Sequence, residues 1–148
     1  MRGAVKVRRR ARIIALQTLF EVDSVHHDPE TVLSQRLQEK PLPEGGSDFA
    51  HSLVQGVIEH MASLNDIIQR IAPQWPLEQI AIVDRNILRI AIFEMAIDGN
   101  TPVKVAINEA VELAKLFGSD SSPRFVNGVL GTLVSQKGLL DKEGSKPH

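Results

Sequence analysis

Residues 85–97 read RNILRIAIFEMAI. Ile87, Leu88, Ile90, Ala91, Ile92, Phe93, Met95, Ala96 and Ile97 leave few polar gaps, so a helix through them is apolar nearly all round. Such a helix belongs in the middle of a core. Asp98, Gly99 and Asn100 end it. Arg89 and Glu94 lie inside the segment, where an unpaired charge would be costly, so each should have a partner. A catalytic carboxylate at Glu94 is the sharper alternative. No second acid or nucleophile lies near it in sequence, and a structural ion pair or hydrogen-bonded cap is the reading favoured.

Outward from this segment every long stretch carries helical periodicity and none carries strand alternation, which predicts an all-α fold, a compact bundle of about seven helices. Helix one should run from near Arg8 to about Val22, with Ala11, Ile13, Ala15, Leu16, Leu19 and Phe20 on one broad face. Asp28 before Pro29 reads as an N-cap and first helical position for a helix ending at Glu39. After a loop of Pro41, Pro43, Gly45 and Gly46, Ser47 can cap a helix bearing Phe49, Leu53, Val57, Met61 and Leu64 and continuing to about Ile71. Pro73 and Pro76 mark the only plausible division, between helical halves of residues 1–72 and 75–136 within one domain of residues 1–137. Thr101 and Pro102 open an amphipathic helix with Val103, Ala106, Ile107, Ala110, Val111, Leu113, Ala114 and Phe117 on one arc, stopped by Gly118. Ser122 and Pro123 open the last helix, and residues 138–148 read as a disordered tail.

The chain has 148 residues, enough for one core without metal or disulfide staples. With no cysteine, thiolate nucleophiles, Cys-ligated zinc and iron-sulfur clusters are excluded. No phosphate-cradling glycine loop and no HExxH pattern appears, so no cofactor and no metal are expected. His26, His27 and Asp28 could ligate a surface metal, although a solvated turn is the favoured reading. No apolar run approaches a membrane span, which points to a soluble, cytoplasmic protein.

Charge is distributed unevenly. Arg2, Lys6, Arg8, Arg9, Arg10 and Arg12 precede the first acid, Glu21; setting those six aside leaves 11 basic against 18 acidic residues. A basic pole on an acidic body suggests an anionic polymer at one end and a cationic partner elsewhere. At a helix start, free N–H groups, the dipole and guanidinium forks would converge on a phosphate. A solvated tail and a transit peptide are the alternatives. Against the transit peptide, Ile13, Leu16 and Phe20 begin the apolar face at once, with no cleavable spacer. RNA fits better than duplex DNA, since no dimeric helix-turn-helix or long basic recognition helix is present. Stacking of unpaired bases needs an exposed ring, and Phe125 beside Arg124 is the best candidate.

Four segments, Arg8 to Phe20 (RRRARIIALQTLF), Asp84 to Glu94 (DRNILRIAIFE), Pro102 to Gly118 (PVKVAINEAVELAKLFG) and Phe125 to Gly131 (FVNGVLG), resemble the NusB family of bacterial transcription antitermination proteins. The resemblance implies two helical subdomains and binding of single-stranded boxA RNA in nascent ribosomal RNA transcripts. It also implies partnership with the ribosomal protein that acts as NusE, and with other Nus factors and RNA polymerase. It assigns RNA phosphates to Arg8, Arg9, Arg10 and Arg12, with help from Arg124 and Phe125, and assigns Phe20, Glu78 and Asp84 to the NusE side and adjoining RNA. Phe20 stands where a Tyr is common, and Ser121 and Pro123 alter the stretch before Arg124.

This reading makes the chain a non-enzymatic RNA-binding factor. Two alternatives remain. One is the NusB-like module of a ribosomal RNA methyltransferase system, although such catalytic domains use a cysteine that this chain lacks. The other is a homodimeric interaction module using Val105 and Leu116 on the outer side of the sixth helix.

Overall fold

The computed structural model describes residues 2–137, and the tail expected from residue 138 lies outside them. Among the described residues the chain forms seven α-helices, one 3-10 turn and one π-helical turn, with no strand. It divides into two compact units, one ending at His60 and one beginning at Met61.

The first unit holds α1 (Arg2–Val25), α2 (Pro29–Glu39) and α3 (Gly46–Glu59). All three helices touch one another. Its core is Ala11, Ile14, Ala15, Leu16 and Leu19 against Val32 and Leu33 of α2 and Ala50, Leu53, Val54 and Val57 of α3. Phe20 lies off this face and is 39% exposed. Helix α1 begins six residues earlier than the sequence suggested, at Arg2. The acid-free start is therefore helical itself.

Asp28 caps α2 as expected: its Oδ2 accepts the Thr31 N–H at 3.0 Å and the Thr31 hydroxyl at 2.9 Å. Those bonds, the backbone one first, hold the Asp28 carboxyl below its ordinary value of 3.8. A depressed folded-state pKa stabilises the fold above the unfolded value, and the contribution is lost as pH falls through the folded one. Asp28→Ala should therefore destabilise the protein at neutral pH, and its difference from wild type should shrink as pH drops below 3.8. Asp28→Asn, which keeps an acceptor, should stay close to wild type at neutral pH. Urea midpoints across that pH range measure both.

His27 and Asp28 do not converge on a metal. His27 Nδ1 lies 2.7 Å from Glu21 Oε2, and Arg36 donates to Glu21 Oε1 at 3.0 Å. The His27 bond, followed by Arg36, lowers the Glu21 pKa against the opposing effect of burial. Among the described residues no group of three or more His, Asp or Glu could hold a metal ion.

The sequence predicts a third helix through to Ile71 and a division of the chain between residues 72 and 75. In the structure α3 stops at Glu59, and a new helix, α4 (Met61–Ile71), begins after His60. His60 leaves helical geometry at φ −109° and ψ 21°, with its N–H bonded to the Gly56 carbonyl and its ring Nδ1 2.9 Å from the same oxygen. A one-residue break barely disturbs a 3.6-residue period, so Met61 and Leu64 still read as continuing the stripe.

The second unit holds α4, a 3-10 turn (Leu77–Gln79), α5 (Ile82–Ile92) running into a π-helical turn (Phe93–Asp98), α6 (Val103–Phe117) and α7 (Ser122–Lys137). Helix α5 packs against α4, α6 and α7. Ile87, Leu88, Ile90, Ala91 and Ile92 are all buried, as an all-apolar helix requires. Both internal charges have partners. Arg89 donates to Asn65 Oδ1 and Asn86 Oδ1, each at 3.0 Å, and Glu94 Oε1 accepts the Thr101 hydroxyl at 2.7 Å. The wide turn closes when the Gly99 N–H bonds the Glu94 carbonyl five residues back, with Gly99 at φ 75°, a left-handed geometry that glycine adopts without strain. Phe117, expected on the buried arc of α6, is exposed, because it is the last residue before Gly118 turns the chain. No helix among the described residues is long and apolar enough to cross a membrane.

Candidate nucleic-acid interface

In the first unit, Arg8 and Arg10 are exposed, Arg9 is half-buried, and Arg12 is buried at 3% exposure. Residues 8–12 lie in the second and third turns of α1, where backbone N–H groups already bond within the helix. The free amides and helix dipole expected to help them hold a phosphate are therefore not at this position. Two of the arginines meet an aromatic ring. The Arg8 guanidinium lies 4.2 Å from the centroid of Phe49 on α3, and that of Arg12 lies 5.1 Å from it. Such cation–π contacts fix a long side chain that would otherwise lose rotamer freedom on binding. Of the four predicted phosphate ligands, Arg8 and Arg10 are exposed, Arg9 is half-buried and Arg12 is turned inward against the Phe49 ring.

The second unit has its own candidate surface. A cavity of about 470 Å³ is lined by Trp75, Gln79, Asp84, Ser121, Arg124 and Phe125 among others. Phe125 is half-buried, Arg124 is exposed, and Trp75 is 46% exposed. The Trp75 and Phe125 rings meet edge to face, with centroids 6.2 Å apart and planes at 82°. The same pair and Arg124 also border a second cavity of about 270 Å³. Rings at a concave surface beside a guanidinium are able to stack unpaired bases.

The loop that brings Arg124 and Phe125 to this cavity is tightly built. A Cβ at Gly118 would lie 2.5 Å from Ser122 Cβ and 2.9 Å from the Ala114 carbonyl, so only glycine fits there. The Ser122 hydroxyl accepts the Ser119 N–H at 2.9 Å. It thus braces the loop rather than capping its own helix, and the Ser121 carbonyl receives the Phe125 N–H that starts α7.

Of the residues assigned to a protein partner, Phe20 is an exposed ring in the first unit. In the second, Glu78 is exposed on the 3-10 turn, whereas Asp84 is buried and borders the 470 Å³ cavity. Sequence reasoning missed two residues. Phe49 was counted only as a core position. Trp75 was not singled out, although the only Trp of the chain, set between Pro73 and Pro76 in PQWP, is a ring held in a loop rather than packed by a helix. Val105 and Leu116 are exposed as expected, which is ordinary for scattered apolar surface groups.

The sequence pattern of the NusB family matches residues 9–135. A transcription antitermination protein NusB of Roseiflexus sp. (strain RS-1) is 55% identical over 132 residues, covering 88% of this chain and 93% of the relative. One from Chloroflexus aggregans is 53% identical over 141 residues, covering 94% and 93%. Among solved structures, T. maritima NusB superposes with a TM-score of 0.81 at 31% identity, covering 90% of this chain and 96% of that one. A crystal structure of the antitermination factors NusB and NusE in complex with dsRNA gives a TM-score of 0.82 at 23% identity, over 88% and 98% of the two chains, a likeness of fold.

Proposed function

Because this chain belongs to the NusB family, we propose that it works as an RNA-binding transcription antitermination factor that takes boxA-type single-stranded RNA of nascent ribosomal RNA transcripts together with a NusE-type protein. The family match across residues 9–135 is the observation that carries this reading. Two physical features support it. Arg8, held over the Phe49 ring, and the neighbouring Arg10 offer guanidinium forks to phosphate oxygens. Trp75 and Phe125 offer faces to bases, and a duplex with its bases stacked inside cannot use them.

Phosphate contacts fall to Arg8, Arg9, Arg10 and Arg124. Phe20 and Glu78 fall to the protein partner, where exposed apolar and acidic groups suit a cationic ribosomal protein. The chain acts by binding and makes no bonds, in the bacterial cytoplasm where transcription takes place.

Filter binding of a boxA-like and a scrambled oligonucleotide, with and without the NusE partner, tests the reading. The boxA-like RNA should bind more tightly, and the partner should widen the difference. The log-log salt slope should be about −0.7 per neutralised phosphate, and Arg9→Ala with Arg10→Ala should make it shallower by about 1.4. Unchanged affinity and slope in that double variant would overturn the assignment of phosphates to α1.

A further inference from the structure

We propose that Gln69 is the positioning residue of the protein-partner face in the second unit: its one amide clamps the loop that leads to Glu78, so that this acid meets a cationic protein from a fixed backbone. The inference rests on the assignment of Glu78 to the partner above.

The loop between α4 and the 3-10 turn, residues 72–76, reads APQWP, and its two prolines have no N–H to donate. The Trp75 N–H turns back to the Ala72 carbonyl at 3.0 Å. Pro76, which precedes the 3-10 turn Leu77–Gln79, makes no side-chain bond to cap it. The remaining groups are met from α4. Gln69 Nε2 donates to the Trp75 carbonyl at 2.8 Å, and Gln69 Oε1 accepts the Leu77 N–H at 3.0 Å. These two partners differ in kind, an acceptor and a donor two residues apart, and an amide side chain offers both functions in one plane. At the far end of the turn Arg85 of α5 reaches the Leu77 and Ile80 carbonyls, at a longer 3.4 Å each. The backbone on both sides of Glu78 is thus tied to a helix.

The bond to the Trp75 carbonyl is exposed, so water could take the place of the Gln69 amide there and the clamp adds little to the stability of the unit. What water cannot do is fix the path of the chain. Glu78 is exposed, and an exposed ion pair contributes little when both of its members must be ordered to form it. Ordering one member beforehand removes part of that cost. Glu78 follows directly on the clamped Leu77 N–H, so its place in the backbone is set before a partner arrives.

Titration calorimetry of a NusE-type protein against the full chain, with Gln69→Leu, Glu78→Ala and the double variant at one salt concentration, tests the clamp. Gln69→Leu should weaken the partner about three- to tenfold, the cost of ordering one side chain or loop element on binding. In the Glu78→Ala background the same change should cost less than about twofold, because the clamp then has no acid to position. Trp75, the only tryptophan of the chain, reports on the loop directly: its fluorescence anisotropy should gain a fast component in Gln69→Leu while the far-ultraviolet circular dichroism stays as in wild type. Gln69→Glu keeps the stem and the acceptor and sets a carboxylate oxygen against the Trp75 carbonyl, so it should weaken the partner at least as much as Gln69→Leu. Equal losses for Gln69→Leu with and without Glu78, or wild-type affinity in both Gln69 variants, would overturn the positioning role and leave the partner assignment intact. A partner that binds Glu78→Ala as tightly as wild type would overturn that assignment, and the clamp with it.

Discussion

Leu88→Ala should lower the unfolding free energy by about 2–5 kcal/mol, the range for truncating a fully buried leucine in a core that only partly collapses around the cavity. Leu88 is 0% exposed on α5, the helix that packs against α4, α6 and α7. Against a total stability on the order of 5–15 kcal/mol, that loss would bring the protein near its folding threshold. Val105→Ala, on the exposed side of α6, should change stability by less than about 0.5 kcal/mol. Urea unfolding followed by Trp75 fluorescence and by far-ultraviolet circular dichroism measures both. A loss below about 1 kcal/mol for Leu88→Ala would mean that α5 is not the centre of the second unit.

The second large effect concerns the ring beneath the arginines. Phe49→Ala should cost about 2–4 kcal/mol, because it removes a partly buried aromatic and the cation–π contacts of Arg8 and Arg12 together. Arg12 makes the loss sharper, since the residue is 3% exposed and cannot recover hydration without moving. Phe49→Leu separates the terms: it keeps apolar bulk and should cost about 1–2 kcal/mol. It should also weaken RNA binding with little change in salt slope, since Arg8 keeps its charge and loses only its fixed position. A Phe49→Leu variant with wild-type RNA affinity would mean that the ring supports the fold and not the interface.

These two sites differ in how far the sequence revealed them. The place of residues 85–97 in the core was legible because an all-apolar helix has only one stable environment, and the same reasoning demanded partners for Arg89 and Glu94. It did not say that the partners would be Asn65, Asn86 and Thr101, since polar side chains brought together by helix packing leave no periodic trace. The caps at Asp28 and Gly118 were legible for a local reason: their chemistry is satisfied within three or four residues.

The candidate interface was legible in charge and not in geometry. Six cations before the first acid marked the N-terminal segment, and Arg124 with Phe125 marked the start of α7. The sequence could not rank the arginines, because burial of Arg12 and fixation of Arg8 depend on Phe49, about forty residues away, being folded against α1. Trp75 leaves no trace in the sequence because a single ring in a proline-flanked loop has no period, and only folding of the second unit sets it edge to face with Phe125 at the cavity that Asp84 also lines. What the sequence determined alone is the helical class, the central helix, the caps at Asp28 and Gly118 and the basic pole, all of which follow from short-range periodicity, capping chemistry and composition. Tertiary structure decided the break at His60, which arginines reach solvent and which side chains line the cavity, because each is set by contacts between residues far apart in the chain, and those contacts exist only once the helices have packed.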